Sequence, residues 1–166
     1  LRDQRLAIGQ FGNSGALMSA LARILRARGA NVLVLDNPDE AAQASTANDF
    51  NAVMYLGLRI ENSSHSQANY FSTPGFLSEG GYRLAHHCAT CLDHALRGSD
   101  VPTTGAAGRQ VPVLRQTRMP AVLCTLAPPS AVVLATAEIA DALAVAITRW
   151  VANPAADPNN ALSVED

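Results

Sequence analysis

The side chains most suited to metal chemistry are grouped in one segment of the sequence. They are His86, His87, Cys88, Cys91 and His94. On a helix, His87, Cys91 and His94 share one face, and imidazole with thiolate is a ligand set that a soft metal ion prefers. The alternative is that the cysteines are small core residues while the histidines lie on or near the solvent face. A C-x-x-C pair inside a helix is also poorly placed for redox chemistry, which usually uses a helix N-terminus. We therefore favour the core interpretation.

A second group of polar side chains could contact an anionic ligand. Arg115 and Arg118 lie close together, and their guanidinium groups are suited to a carboxylate. Solvated surface charges are an equally good interpretation of this pair. His65, in a serine-rich loop, could face a ligand site, although a single exposed histidine is more often simply solvated. The residues alone leave these alternatives open.

The elements that must position these residues alternate along the chain. Short runs with period-2 or continuous apolar character are separated by longer runs with helical spacing, which is the pattern of a sheet built from βαβ units. The sequence therefore predicts an α/β fold. The predicted strands are residues 5–8, 31–35, 52–58, 68–71, 111–114 and 121–126. The second is a continuous apolar run, so we expect it to be buried on both faces.

Helices are predicted from apolar spacing and from start and stop residues. They are residues 17–25, a short run that begins after residues 37–39 and ends at 48, residues 78–96, and residues 137–151. Trp150 lies on the apolar face of the last helix and is predicted to be a core residue. Residues 98–108 are rich in glycine, threonine and alanine, so we expect a mobile surface loop there.

Length and composition limit the class of protein. At 166 residues, with 48% apolar and 16% charged residues, the chain is typical of one globular domain. We expect that domain over residues 1–153 and a frayed tail over residues 154–166. A net charge of −2 and the lack of a basic stripe make nucleic acid an unexpected partner.

No membrane span is expected. The apolar stretch at residues 131–137 is far shorter than the ~20 residues that a transmembrane helix needs. The first residues, which include Arg2, Asp3 and Arg5, do not form a signal peptide. Three cysteines are too few for a disulfide framework. The cellular compartment does not follow from these features.

Residues 111–123, VPVLRQTRMPAVL, resemble a known segment, VLRxTxMPAVLVELGFLSN, of zinc-dependent N-acetylmuramoyl-L-alanine amidases. These peptidoglycan hydrolases cleave between the lactyl group of muramic acid and the first L-alanine of the stem peptide. Residues 46–58 are similar to the family's AN…ADLFISIHAN block, and residues 78–96 and 139–147 to two of its helices. The resemblance covers nearly the whole chain. It implies a single domain with a mostly parallel or mixed sheet of about six strands, helices on both faces, and an active site at the strand ends.

The resemblance also implies positions for the zinc ligands and the catalytic glutamate, and this sequence departs from the family at each of them. The histidine loop IDPGHGG corresponds to residues 8–12, IGQFG, and the ligand glutamate to the shortened segment 13–15, NSG. Arg59 stands at the second histidine, and a protonated guanidinium group has no lone pair for zinc. Thr125 stands at the acid/base glutamate, and threonine does not ionise near neutral pH.

We therefore expect a pseudoenzyme without zinc that has a binding or regulatory role in bacterial peptidoglycan metabolism. Its expected ligand-binding residues are Arg59, Glu61, Arg115 and Thr125, and Glu61 is a candidate ion-pair partner of Arg59. The expected partner is a peptidoglycan fragment or a cell-wall-synthesis protein, in the cell envelope or the cytoplasm. The alternatives are an active amidase with a rearranged metal site and an accessory domain whose strand ends have no role.

Overall fold

Seven strands form one mixed sheet in the computed structural model, which describes residues 1–155. The strands are β1 (Arg5–Gln10), β2 (Asn31–Leu35), β3 (Met54–Ile60), β4 (Ser66–Thr73), β5 (Phe76–Leu77), β6 (Thr103–Arg109) and β7 (Ala121–Leu126). Their order is β2-β1-β3-β7-β4-β5, and β6 also pairs with β4. The β1–β2, β1–β3, β3–β7 and β4–β6 pairs are parallel, whereas β4 runs antiparallel to β5 and β7.

Helices cover both faces of this sheet. Within the described residues they are α1 (Gly15–Ala27), α2 (Glu40–Asp49), α3 (Glu79–Ala95), α4 (Pro112–Gln116), α5 (Pro129–Leu134) and α6 (Thr136–Ala152). Helices α1, α3 and α6 contribute to one apolar core, and α2 and α4 to a second one. The chain is a single α/β domain with helices on both faces of the sheet, which confirms the predicted fold class.

The alternation of side chains along the central strands explains these two layers. In β3, Leu56 and Leu58 belong to the core with α1, α3 and α6, whereas Tyr55 belongs to the core with α2 and α4. Val122 and Leu123 of β7 divide in the same way. Because both faces of these strands are covered, the strands are apolar along most of their length.

Local signals define the helix ends near the strand termini. Asp39 precedes α2, and its Oδ1 accepts a hydrogen bond from the backbone N–H of Ala41 at 2.9 Å. Ser78 precedes α3 and accepts from the N–H of Gly81 at 3.2 Å. Gly29, beyond the end of α1, has a φ of 94°, which favours glycine. These signals are readable in the sequence, and the corresponding helices lie where they are predicted.

The predicted strand at residues 111–114 is wrong, because these residues lead into α4. Pro112 begins the helix, where its missing N–H costs little, and the N–H of Arg115 donates to the carbonyl of Val111 at 3.1 Å. Val113 and Leu114 are both buried. A short apolar run looks the same in a strand and in a buried helical turn, so spacing did not separate the two.

The predicted loop at residues 98–108 is wrong over most of its length, because Thr103–Arg109 is strand β6. Its small residues permit close packing: a Cβ on Gly108 would lie 2.6 Å from the Cβ of Ser72. Gly105 has a φ of 89° near an irregularity in the β4–β6 register. Glycine and alanine have low strand propensity, so β6 depends on its pairing with β4 rather than on local preference.

Strand β2 is at the edge of the sheet, so the expectation that it is buried on both faces is wrong. Only its last residue, Leu35, is fully buried. The guanidinium group of Arg26 donates to the carbonyl of Val32 at 3.0 Å, which occupies part of the free edge.

The predicted C-terminal tail lies mostly outside the described residues. Pro154 and Ala155 are exposed beyond α6, and residues 156–166 are not described, so the frayed tail stays a prediction. Across residues 1–155, none of the helices combines the length and hydropathy needed to cross a bilayer.

Candidate functional site

Arg59 and Thr125, the residues that the resemblance places at a zinc ligand and at the acid/base position, are neighbours in the sheet. Arg59 and Thr125 are partners in the parallel register of β3 and β7, near the carboxyl ends of both strands. The carboxyl ends of parallel strands are where α/β proteins place their ligands. We call the region formed by Phe11, Glu40, Arg59 and Thr125 the carboxyl-edge site.

Arg59 contacts two residues that the sequence does not single out. Its Nη2 lies 3.6 Å from Oε2 of Glu40, and its Cζ lies 4.6 Å from the ring centroid of Phe11. The side chains of Arg59 and Glu40 are 25% and 21% exposed, so both charges are largely withdrawn from water. Carboxylates and aromatic faces are the partners that an arginine side chain favours. The guanidinium group is therefore held in place at the end of β3.

The structure pairs Arg59 with Glu40 rather than with Glu61. Glu61 lies just beyond β3, and its backbone N–H donates to the carbonyl of Leu126 at 2.8 Å. Glu61 forms no ion pair within the described part of the chain. The physical reason is tertiary, since α2 brings Glu40 to the strand end and proximity in sequence does not reveal this.

Glu40 connects three elements. It is the first residue of α2, its Oε2 faces Arg59, and its Oε1 accepts a hydrogen bond from the N–H of Val113 at 3.3 Å. Backbone N–H groups at the start of a helix are free to bind a carboxylate. Glu40 therefore fixes α2 and α4 against the end of β3.

A buried polar cluster fills the space between α2 and the ends of β1 and β3. The Tyr55 hydroxyl donates to Oε1 of Gln43 at 2.7 Å, and Nε2 of Gln43 donates to two backbone carbonyls at 2.9 and 2.7 Å. Burial raises the pKa of Tyr55, and the charge of Glu40 adds to this effect, so the phenol stays protonated. A Cβ on Gly9 would collide with Gln43 and lie 2.6 Å from the Tyr55 oxygen, so this packing requires glycine.

Thr125 belongs to a second set of buried polar groups. Its Oγ1 donates to the carbonyl of Gln67 and accepts from Nδ2 of Asn69, both at 3.3 Å. Nδ2 of Asn69 also donates to the carbonyl of Leu123 at 3.1 Å. Oδ1 of Asn69 is buried and has no hydrogen-bond partner within residues 1–155. An unpaired buried acceptor costs roughly 1–3 kcal/mol.

Hydrogen bonds fix the loop between β1 and α1 to itself and to β3. The resemblance places the first two zinc ligands in this loop. Oε1 of Gln10 accepts from the N–H of Ser14 at 3.3 Å, and the Ser14 hydroxyl donates to the carbonyl of Leu58 at 3.0 Å. Nδ2 of Asn13 donates to the carbonyl of Ile60 at 3.4 Å. These bonds tie the short loop to β3 with neutral side chains.

The residues present do not fit a zinc ion. A zinc hydrolase site uses three histidine or carboxylate ligands and leaves a position for water. The resemblance assigns the ligand positions to residues 8–12, residues 13–15 and residue 59 of this chain. The first two segments contain no histidine or carboxylate, and the positive charge of Arg59 repels a divalent cation. Over the described ranges, no three histidine, cysteine, aspartate or glutamate side chains come together as a metal-binding group.

Arg115, Arg118 and His65 take no part in the ion pairs that the structure shows within residues 1–155. Arg115 on α4 and Arg118 just after it are exposed, and neither forms an ion pair with another residue of the described chain. His65 is exposed between β3 and β4, with Nδ1 3.2 Å from the hydroxyl oxygen of Ser64. Of the four expected ligand-binding residues, the structure brings Arg59 and Thr125 together.

The histidine and cysteine segment lies on α3, in the other core. Cys88 and Cys91 are buried there, which confirms the core interpretation for the cysteines. His94 is exposed and His86 is partly buried, but His87 is only 7% exposed, so the expected solvent-facing position is wrong for His87.

Burial and neighbouring groups control ionisation in this segment. A hydrogen bond with Cys124 and burial raise the pKa of the Cys88 thiol, and burial raises the pKa of Cys91. Neutral, buried thiols are poor nucleophiles and poor metal ligands. Burial and the nearby charge of Arg149 lower the pKa of His87, so its ring is neutral. A groove of about 990 Å³ beside α3, β6 and α6 is lined by side chains of both charge signs.

The sequence analysis did not single out five residues whose side chains contact Arg59, Thr125 or the buried polar cluster. They are Phe11, Glu40, Gln43, Tyr55 and Asn69. A signal exists for Tyr55, because a tyrosine inside an apolar strand needs a hydrogen-bond partner. Asn69 gives a similar signal within β4. For Glu40 and Phe11, the sequence carries no comparable indication, since their contacts depend on how the loops meet.

The fold and the site define an α/β domain with a polar cluster at the carboxyl ends of a parallel strand core. No family model and no curated protein matches the sequence at a significant level. The chain is similar in structure to the crystal structure of N-acetylmuramoyl-L-alanine amidase from Clostridium difficile 630. The TM-score is 0.71 at 16% identity, covering 92% of this chain and 99% of that chain.

A second similar structure is the CwlD amidase from Clostridioides difficile in complex with the GerS lipoprotein. It gives a TM-score of 0.63 at 12% identity, covering 90% of this chain and 99% of that chain. The chain therefore has the fold of N-acetylmuramoyl-L-alanine amidases over nearly its whole length. At these identities the likeness shows the fold and carries no residue roles.

Proposed function

We propose that this domain is a non-catalytic protein of the amidase fold that binds a peptidoglycan fragment or a cell-wall-synthesis protein at the carboxyl-edge site. The observation that carries the proposal is the position of Arg59. It stands where the resemblance places a zinc-binding histidine, and it is held there by Glu40 and Phe11. A fixed positive charge replaces the metal ion at the strand ends.

The chemistry of the neighbouring positions supports the absence of hydrolysis. Metal-assisted amide hydrolysis needs a bound water and a carboxylate that takes its proton. The position of that carboxylate carries Thr125, whose hydroxyl is engaged with Gln67 and Asn69. Because several parts are missing independently, replacing one residue would not restore the reaction.

Two observations support a binding role. Arg59 and Glu40 are charged groups that keep partial exposure at the strand ends, where a ligand can reach them. Retaining such groups costs stability, and a ligand offers one reason for their presence. The CwlD amidase was solved with the GerS lipoprotein, so a protein partner on this fold has a precedent, although it gives no contact residue here.

The test of this proposal is turnover and binding measured on the same preparation. Protein supplied with excess zinc is incubated with purified muropeptides, and free stem peptide is quantified by mass spectrometry beside an active amidase. We expect no release above the protein-free blank and measurable cosedimentation with insoluble peptidoglycan. Release of stem peptide in proportion to protein would contradict the proposal.

A matched pair of variants identifies the surface used. Arg59→Ala should reduce cosedimentation, or capture of a cell-wall-synthesis protein. Arg83→Ala, which removes an arginine of similar exposure paired with Glu79, should not. Equal retention by both variants would favour an accessory domain whose strand ends have no role.

The second candidate is an active amidase with a rearranged metal site. It is favoured by the coverage of the fold match, since both similar structures are amidases and nearly all of each is matched. Glu40 also supplies one carboxylate at the strand ends. Zinc that is bound stoichiometrically and lost in Glu40→Gln would support this candidate over the binding protein.

A further inference from the structure

The guanidinium group of Arg59 makes no hydrogen bond to another residue of the described range 1–155. A guanidinium group has five N–H donors. Arg59 donates none of them within hydrogen-bond distance to an acceptor in residues 1–155, and its 3.6 Å contact with Glu40 is longer than a hydrogen bond. By contrast, the guanidinium of Arg28 donates to Thr148 at 2.8 Å and to a backbone carbonyl at 3.3 Å. A three-quarters buried cation with free donors is suited to bind an anion.

Phe11 limits the orientation of this group. The carbon of the planar guanidinium group lies over the ring, 4.6 Å from its centroid. The N–H donors point outward from the edge of that plane, which is the geometry that a carboxylate accepts with two parallel hydrogen bonds. The contact with Phe11 therefore limits the positions that the guanidinium group can take.

Glu40 already places a carboxylate next to this fork. Its Oε1 is engaged with the N–H of Val113, while Oε2 remains near Arg59 at ion-pair distance only. The internal carboxylate thus neutralises the cation without satisfying its donors. A ligand carboxylate that made two short hydrogen bonds would compete successfully for the same edge of Arg59.

We propose that Arg59 is the receptor for a carboxylate of the ligand and that Glu40 is an internal competitor which this carboxylate displaces. The inference rests on the proposed binding function of the carboxyl-edge site and adds the chemical class of the group that is bound. Phe11 is a positioning residue in this arrangement, because it acts through Arg59.

The test compares a carboxylate probe with its neutral amide. The Arg59 side-chain Nε–H resonance is followed by NMR during titration with N-acetylalanine and, separately, with N-acetylalaninamide. The acid should give a saturable shift, whereas the amide should give none or bind at least about tenfold more weakly, since it lacks the charge. Equal affinity for both probes, or no saturable shift with the acid, overturns the inference.

Glu40→Gln is the decisive variant. It keeps an oxygen that can accept from the N–H of Val113 and removes only the competing charge. We expect the acid to bind about two- to fivefold more tightly, the factor that corresponds to a weak, partly exposed ion pair. Unchanged or weaker binding of the acid to a folded Glu40→Gln protein contradicts the role of Glu40.

Two further variants serve as controls. Arg59→Lys keeps the charge but loses the planar fork, so binding of the acid should fall about tenfold. Glu79→Gln removes the 3.5 Å pair with Arg83 and should leave the titration unchanged. Muropeptide turnover is scored separately: turnover would sink the proposed function, whereas a failed Glu40→Gln prediction without turnover would sink this inference alone.

Discussion

Behind the carboxyl-edge site, the buried side chains of Tyr55 and Gln43 are hydrogen-bonded to each other, whereas the buried rings of His87 on α3 and Trp150 on α6 each keep a nitrogen without a partner within residues 1–155. Tyr55 and Gln43 share a 2.7 Å hydrogen bond, and Glu40 accepts from a backbone N–H. Nε2 of His87 and Nε1 of Trp150 are buried and lack a hydrogen-bond partner in the described part of the chain.

The difference separates charged residues that a ligand can reach from histidine and cysteine residues that contribute to packing. The sequence segment richest in histidine and cysteine lies in an apolar core, where burial holds thiols and a ring in their neutral forms. The carboxyl-edge site has fewer such residues, but its charges remain partly exposed and held by specific contacts. Residue type therefore predicts function less well than pairing and exposure do.

Trp150→Ala should give the largest effect and test whether the α3–α6 region is core. Removing this buried side chain should lower the free energy of unfolding by about 3–5 kcal/mol, through lost apolar contact and a cavity. Urea denaturation measures the change. Arg59→Ala serves as the comparison and should cost about 1 kcal/mol or less. Similar losses for both variants would remove the distinction between the two regions.

Gly9→Ala tests the packing behind the carboxyl-edge site. The new methyl group collides with Gln43, so we expect a loss of about 1–3 kcal/mol in the free energy of unfolding. The same substitution in a Gln43→Ala background should cost clearly less, because the colliding atoms are gone. Additive losses in the double variant would show that Gln43 does not occupy this space.

Tyr55→Phe tests the hydrogen bond within the cluster. The substitution leaves Oε1 of Gln43 buried without its donor, so we expect a loss of about 1–2 kcal/mol in stability, measured by thermal or urea unfolding. Tyr82→Phe is the control, since Tyr82 is only partly buried. An equal effect of the two substitutions would argue against a structural role for the Tyr55 hydroxyl.

The pH dependence of stability should report His87. The folded-state pKa of His87 lies below 6.5, the usual value for a histidine, so below pH 6.5 the unfolded chain binds this proton more readily than the folded chain. The contribution of neutral His87 to the free energy of unfolding is complete above pH 6.5. It decreases as the pH falls below this value, by at most about 1.4 kcal/mol per pH unit for one group. Denaturation between pH 5 and 7.5 should show a flatter profile for His87→Leu, whereas exposed His94→Gln should follow the parent protein.

Much of the fold was predictable because its signals are local. The apolar strands β1, β3 and β7, the capping residues Asp39 and Ser78, and the amphipathic spacing of α6 all act within a few residues. Strand β6 was missed because its small residues become a strand only beside β4. The start of α4 was missed because a buried turn and a strand share the same short apolar pattern.

The residues of the candidate site also divide into those that the sequence predicts and those that it does not. Arg59 and Thr125 were found through a motif, and their adjacency follows from the parallel register of β3 and β7. Glu40 lies 19 positions before Arg59 and meets it only after α2 packs beside the sheet. Long-range contacts of this kind leave no periodic mark in the sequence, so the partner of Arg59 could not be predicted from spacing.

The most direct test of the account is anomalous diffraction at the zinc absorption edge from crystals grown with excess Zn²⁺. We expect no anomalous peak within coordination distance of Gln10, Arg59 or Thr125, and we expect the guanidinium group of Arg59 between Phe11 and Glu40. A zinc peak at the strand ends, held by side chains of this chain and with Arg59 turned away, would contradict it.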